Sequence, residues 1–210
     1  MKTIEITLYK FSELSDNAKQ KAIEKWRNDS YDSQPWFISE CNESFEKFAK
    51  LFSIDWRNID YQEPYRNEYS INLDDQIKYL SGQRLATYIW NNYRNDIFKR
   101  KYYSLWSKKD ISYKHYKEGY PVLKTRYSKI QLENCCVLTG ACYDDDLLTP
   151  IYDFLNKPTE IDFETLLNDC IYSLCHSISN EIDYHNSDDA ITEEIENNEY
   201  DFLENGEMAL

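Results

Sequence analysis

The chain has 210 residues, of which 41% are hydrophobic and 16% aromatic, so it is long enough and apolar enough to build a core. Lys and Arg number 24 against 38 Asp and Glu, which gives a formal net charge of −14 at pH 7. This composition excludes a collagen-like or wholly disordered protein, and no apolar run of about 18 residues is present that could span a bilayer.

The N-terminal stretch MKTIEITLYKF alternates polar and apolar residues. A signal peptide would instead join a basic region to an apolar one, so we expect an intracellular protein without one. The six cysteines should then remain thiols and pack as small apolar groups.

Charge divides the chain more sharply than glycine or proline does. Residues 99–130 carry 10 basic and 2 acidic side chains and are rich in tyrosine, whereas residues 143–210 carry 1 basic and 19 acidic ones. We therefore expect two regions. An α+β core spans residues 1–142 and includes the basic segment, and an acidic helical region at 143–210 packs on that core.

The first half of the chain predicts alternating strands and helices. TIEITLY has the period of a strand, and Ser15 should cap the helix that follows it. WFISECNESFEKFAKLF predicts an amphipathic helix with an aromatic face, made of Ile38, Cys41, Phe45, Phe48 and Phe52. SIDWRNIDY and YRNEYSINL predict two short strands, and residues 74–98 predict a long helix with Gly82 as its weak point.

The second half predicts one further strand and several helices. YSKIQLENCCVLTG is typical of a strand that ends at Gly140. A long apolar stripe then predicts a helix, from the spacing of Leu166, Leu167, Cys170, Ile171, Leu174, Ile178 and Ile182. Ser187 should cap a last helix that carries Ile191 and Ile195, and EYDFLENGEM suits a closing strand with an Asn-Gly turn. The fold class is α+β, with a small, mostly antiparallel sheet covered by about five helices.

No complete catalytic signature is present. The three histidines sit in no Ser-His or Cys-His arrangement, and phosphate-binding glycine motifs are missing. The cysteine spacings do not fit a zinc site. We therefore expect a protein that is not an enzyme and has no cofactor and no metal. A Mg²⁺ site at Asp144, Asp145 and Asp146 is left open against a solvated acidic turn.

The basic segment has two interpretations. Its mixture of cations and rings is typical of single-stranded nucleic-acid binding, which would use Lys99, Arg100, Lys101, Tyr102, Tyr103 and Trp106. The other interpretation is that the segment docks against the acidic tail of the same chain or contacts a protein partner. Because the whole molecule would repel a duplex, we favour the second interpretation.

The acidic third is almost free of compensating cations. Ordinary exposed helices mix Lys with Glu, whereas helix-borne carboxylates without Lys can imitate the phosphates of DNA. We predict that this region binds the cations of a partner. The expected contact residues are Asp144, Asp145, Asp146, Asp188, Asp189, Glu193, Glu194, Glu196 and Glu199.

Four stretches carry a family resemblance: FSELSDNAKQKAIEKWR, LTGACYDDDLLTPIYDFLNKP, LLNDCIYSL and AITEEIENNEYDFLENGE. They resemble a largely uncharacterised group of small acidic phage and prophage proteins, some of which are labelled as the antitoxin of a toxin-antitoxin system. The likeness covers roughly residues 1–60 and 130–207. It implies a phage-borne protein in the cytoplasm of a bacterial host cell, and it brings no catalytic residues.

Charge and resemblance together predict a phage-encoded anti-defence protein, anti-CRISPR-like or a DNA mimic. Its partner would be a host defence nuclease or another nucleic-acid-binding protein, which it would inhibit through the acidic surface. One alternative is an antitoxin-like protein that neutralises a cognate toxin. Another is a single-stranded nucleic-acid binder, and none of these functions involves a membrane.

Overall fold

The computed structural model describes residues 6–31, 35, 37–98, 101–105, 122–126 and 136–209, with backbone alone for 30–31, 101–105 and 122–126. These residues form seven α-helices and three two-stranded antiparallel sheets, which confirms the α+β fold. In chain order the elements are β1 Tyr9–Lys10, α1 Asp16–Tyr31, α2 Ile38–Leu51, β2 Ile54–Asn58, β3 Glu68–Ile71, α3 Asp75–Lys78, α4 Gly82–Ile97, β4 Lys101–Leu105, β5 Val122–Arg126, α5 Tyr143–Asn156, α6 Phe163–His185, α7 Asp188–Asn197 and β6 Asp201–Phe202.

The contacts divide the chain into two compact units. Both ends, Met1–Ile38 and Ile178–Leu210, form what we call the terminal unit, and Ser39–Ser177 forms the central unit. The division therefore does not fall between residues 142 and 143, where charge had placed it. The reason is that the apolar stripes of α1 and α7 close a common core, so the last helix belongs with the first.

The terminal unit is built around that shared core. Its buried side chains come from α1, α7, β6 and the residues before α1: Phe11, Leu14, Ala18, Ala22, Ile23, Ile191, Ile195 and Phe202. Both predicted caps are confirmed. Ser15 Oγ accepts the Ala18 N–H at 3.4 Å, and Ser187 Oγ accepts the Ala190 N–H at 3.3 Å.

The N-terminal strand is shorter than predicted. Among the described residues only Tyr9 and Lys10 pair, with Phe202 and Asp201 of β6. Leu8 lies outside the strand and is 48% exposed, and the partner strand β6 is itself only two residues long. The closing strand and its Asn-Gly turn are confirmed, since the Gly206 N–H donates to the Leu203 carbonyl at 2.9 Å.

The two short strands predicted from SIDWRNIDY and YRNEYSINL lie in the central unit and form a hairpin. In it, β2 and β3 pair from Ile54↔Ile71 to Asn58↔Glu68, with an irregularity between Trp56 and Asn58. The single helix expected over residues 74–98 is instead two helices, α3 and α4. The chain breaks before Gly82, whose φ is +56° and whose N–H donates to the Thr159 carbonyl at 3.0 Å.

The core of the central unit lies between α2, α4, α5 and α6. The predicted aromatic face of α2 is buried, and the Phe52 ring lies 4.8 Å from Phe48, 4.8 Å from Tyr93 and 6.0 Å from Phe163. The predicted stripe of α6 is buried up to Ile178. These contacts follow the helical periodicity of the sequence.

Candidate partner-binding surface

One side of α7 consists of acidic residues. Ile191 and Ile195 are buried in the core of the terminal unit, whereas Asp189, Glu193 and Glu196 are exposed. Steps of four and three residues place these three carboxylates on the side opposite the isoleucines, about 6 Å and 4.5 Å apart along the helix axis. Glu194 is exposed as well, on the adjoining side of the helix. We call Asp189, Glu193, Glu194 and Glu196 the acidic face of α7.

No ion pair engages these four carboxylates within the part of the chain that the structure describes. The exposed side of α1 in the same unit is different, because it mixes Asp16 and Glu24 with Lys21 and Lys25. Among the described residues, the negative charge of the acidic face is therefore not neutralised by a paired cation.

Two cations flank α7 instead of covering it. Arg27 pairs with Asp188 and donates from Nε to the Asn186 carbonyl at 2.9 Å. Lys10 Nζ lies 2.8 Å from the Asp201 carboxylate and donates to the Glu199 carbonyl at 2.7 Å. Asp188 is thus partly neutralised. Sequence reasoning did not find these two cations, because their partners lie 161 and 189 residues away along the chain.

Glu199 follows the end of α7 in a left-handed conformation, with φ of 53°. It is exposed, as predicted for a contact residue, and its N–H donates to the Glu196 carbonyl at 3.1 Å. Glycine is the usual residue at such a helix end, so a glutamate here carries backbone strain.

The prediction that Asp144 contacts a partner is wrong. Its side chain is 0% exposed, and Oδ2 accepts the N–H groups of Leu138 at 2.7 Å and Thr139 at 2.7 Å. The Thr139 hydroxyl donates to Oδ1 at 2.9 Å, and Ser44 lies 3.2 Å from that hydroxyl. With both oxygens engaged, Asp144 is an internal anchor and not a ligand for a partner or a cation.

The same anchor explains why the predicted strand does not reach Gly140. Residues 136–140 form a loop that turns back onto the Asp144 carboxylate, whereas residues 127–135 of that strand lie outside the described residues. Asp145 and Asp146 follow in α5, half-buried and with interactions of their own. They belong to the central unit, whereas the remaining predicted contact residues lie in the terminal unit, on α7 and at Glu199 just after it.

The basic segment is described only in part. Lys101, Tyr102 and Tyr103 lie in β4 and pair with Arg126, Thr125 and Lys124 of β5. Lys99, Arg100 and Trp106 lie outside the described residues. Both the nucleic-acid-binding prediction and the proposed docking of this segment against the acidic tail therefore stay predictions.

The described cysteines are free thiols, of which Cys41, Cys170 and Cys175 are buried. Burial raises the pKa of Cys175 to about 11 and raises the pKa of Cys170 well above its ordinary value. In the described ranges, no three His, Cys, Asp or Glu side chains come together as metal ligands would.

A groove lies beside the β2–β3 hairpin in the central unit. It measures about 810 Å³, and its lining includes Lys50 from α2 together with Trp56, Arg57 and Glu68 from the hairpin. The lining carries both positive and negative charges, and nothing in their arrangement selects one class of ligand. Among the described helices, none combines the length and the apolar character needed to cross a membrane.

Comparison of the chain with protein-family models, with curated proteins and with solved structures finds no match. Function must therefore be argued from the surface chemistry of this chain.

Proposed function

We propose that the protein is a phage-encoded anti-defence protein, anti-CRISPR-like or a DNA mimic, which binds and inhibits a host nucleic-acid-processing protein in the bacterial cytoplasm. The contact is made through the acidic face of α7, with Asp188 and Glu199 at its two ends. One observation carries the proposal: four exposed carboxylates on one ordered helix have no cation partner among the residues described.

Order in α7 supports binding because less conformational entropy is lost when the partner arrives. The helix begins with the Ser187 cap, and Ile191 and Ile195 anchor it in the core. The acidic face is therefore presented on a fixed scaffold and not on a flexible tail.

The spacing of the carboxylates suits a target that normally holds nucleic acid. One strand of a duplex carries a phosphate about every 3.4 Å along the axis. The steps of about 6 Å and 4.5 Å between Asp189, Glu193 and Glu196 fall between one and two such repeats. A groove lined with Lys and Arg would accept these carboxylates in place of phosphates, and long-range attraction would speed the encounter.

The two alternatives remain predictions. An antitoxin would use the same acidic face if its toxin has a basic active-site cleft, so the identity of the target distinguishes it from an anti-defence protein. Single-stranded nucleic-acid binding rests on the basic segment alone, and no contact among the described side chains favours it.

The test compares two triple variants with the same change of charge. In the first, Glu193, Glu194 and Glu196 are replaced by Lys. They lie in the C-terminal half of α7, where lysines suit the helix dipole, so the helix should persist. In the control, Glu24, Asp29 and Glu204, which are exposed elsewhere in the terminal unit, are replaced by Lys.

The target is first captured from host lysate on the immobilised wild-type protein and then purified. We expect the α7 variant to bind it roughly a hundredfold more weakly and the control to stay within about threefold at physiological salt. The wild-type protein should also displace labelled duplex DNA from the target. Equal affinities of the two variants, or simultaneous binding of DNA and protein to the target, would contradict the proposal.

The identity of the captured target decides between the alternatives. A neighbouring gene product that is toxic alone and harmless when co-expressed with this protein would assign the acidic face to an antitoxin. Circular dichroism of both variants should match the wild type, which shows that any loss of binding is not a loss of fold.

A further inference from the structure

The start of α7 is held by a cation from another helix. Arg27 of α1 donates from Nε to the Asn186 carbonyl at 2.9 Å, and its guanidinium pairs with Asp188, the first residue of α7. Only the cap residue Ser187 separates these two partners. The planar guanidinium thus spans the junction at which α6 ends and α7 begins.

The other end of α7 is held in a similar way. Lys10 Nζ donates to the Glu199 carbonyl at 2.7 Å, two residues after the helix, and lies 2.8 Å from the Asp201 carboxylate. The hydrogen bond to Asp201 raises the pKa of Lys10 above its ordinary value. Next to it the Tyr200 ring lies 5.2 Å from Trp26 of α1.

We infer that Lys10 and Arg27 are positioning residues, which fix both ends of α7 and so hold its acidic face in the geometry that a cationic partner recognises. The inference rests on the proposed function for its consequence in binding. Neither cation neutralises the acidic face itself, because their anionic partners are Asp201 and Asp188.

The net charge alone would change binding in the opposite direction. Replacing Lys10 and Arg27 by neutral residues makes the surface more negative, so charge alone would strengthen the attraction for a cationic partner. If the two cations position the helix, the same replacement weakens binding, because the partner then has to order the acidic face itself.

The test uses the double variant Lys10→Gln with Arg27→Gln. Its matched control is Lys21→Gln with Lys25→Gln, which removes the same charge from exposed positions of α1. Two quantities are measured in the full chain: the amide hydrogen-exchange rates of α7 without a partner, and the affinity for a labelled octa-arginine peptide at low salt.

We expect exchange in α7 to become about tenfold faster in the Lys10/Arg27 variant and to stay unchanged in the control. Its affinity for the peptide should fall about fivefold, whereas the control should bind as tightly as the wild type or more tightly. Arg27→Lys, with Lys10 kept, should restore part of the affinity. A lysine keeps the charge but lacks the fork that reaches both Asn186 and Asp188.

Unchanged exchange rates in α7 would overturn the inference whatever the affinity. Faster exchange with an affinity equal to that of the Lys21/Lys25 control would overturn it too, since the clamp would then not serve binding. If the wild-type protein does not bind the peptide at all, the proposed function fails, and the exchange rates still decide whether the two cations hold α7.

Discussion

The carboxylate of Asp144 accepts both the backbone N–H of Thr139, at 2.7 Å, and the hydroxyl of the same residue, at 2.9 Å. A buried side chain of α5 thereby holds the loop that precedes its own helix. The hydroxyl of Ser44, from α2, lies 3.2 Å from that of Thr139 and links the loop to the core of the central unit.

We predict that Asp144→Ala lowers the free energy of unfolding by about 3–4 kcal/mol, because the N–H groups of Leu138 and Thr139 lose their acceptor inside the protein. Asp144→Asn should cost about 2 kcal/mol, since one carbonyl oxygen remains. Urea unfolding measures the free energy of unfolding of both variants.

Asp153→Ala, at an exposed position of the same helix, is the control, and its free energy of unfolding should stay within about 0.5 kcal/mol of the wild-type value. A loss below about 1 kcal/mol in Asp144→Ala would show that the loop does not depend on this carboxylate.

The burial of Asp144 could not be predicted from the sequence. Asp144, Asp145 and Asp146 are equivalent in the sequence, yet one is buried. Its hydrogen-bond donors lie in the preceding loop, and Thr139 of that loop contacts Ser44, 95 residues away along the chain. The buried stripe of α7 was predictable, since the apolar face of a helix repeats along its own residues. The pairing of the chain ends into one unit was not, because no local pattern encodes which stripes share a core.

The acidic face of α7 was likewise predictable in part. Its exposure could be predicted from the positions of Ile191 and Ile195 on the opposite side of the helix. The positioning role of Lys10 and Arg27 could not, since both residues look like ordinary surface cations in the sequence. Similarly, Gly82 was identified as a weak point, but the break of the long helix depends on its hydrogen bond to Thr159.

Gly206 should tolerate no larger residue. A Cβ atom at this position would lie 2.2 Å from the carbonyl oxygen of Ala18, and φ is +88°. We predict that Gly206→Ala lowers the stability of the terminal unit by about 3 kcal/mol or more, because two backbone segments would have to separate. Hydrogen exchange of α1 and α7 amides reports on this unit.

Gly140→Ala is the control for the Gly206 prediction. Gly140 has φ of +98° but no atom within 4 Å of its added Cβ, so only the strain of the left-handed backbone is introduced. That variant should cost about 1–2 kcal/mol. Equal losses in the two variants would mean that the contact with Ala18 contributes nothing.

Glu199→Gly should stabilise the protein by about 0.5–1 kcal/mol, because glycine adopts the left-handed conformation that follows α7 without steric cost. Glu204→Gly removes the same charge from a turn position at which φ is not positive, and it should be neutral or slightly destabilising. Thermal unfolding of the two variants distinguishes backbone strain from charge.

A stabilisation of the same size in both variants would assign the effect to reduced anionic repulsion. If Glu199→Gly is more stable but also binds the target more weakly, the carboxylate at residue 199 is retained for binding in spite of the backbone strain.

Stability should decline in alkaline solution because of the buried thiols. Burial raises the pKa of Cys175 from 9.0 to about 11, so between these values the unfolded chain ionises while the folded chain does not. Ionisation of the unfolded state alone lowers the free energy of unfolding as the pH rises, by about 1 kcal/mol between pH 8 and pH 10 for this thiol. Cys175→Ala should therefore show a smaller decline than the wild type when urea unfolding is measured across this range.

The control is Cys142→Ala, at an exposed position, which should keep the wild-type slope of unfolding free energy against pH. Identical slopes for Cys175→Ala and the wild type would show that this thiol ionises equally well in the folded protein, and hence that its surroundings admit water.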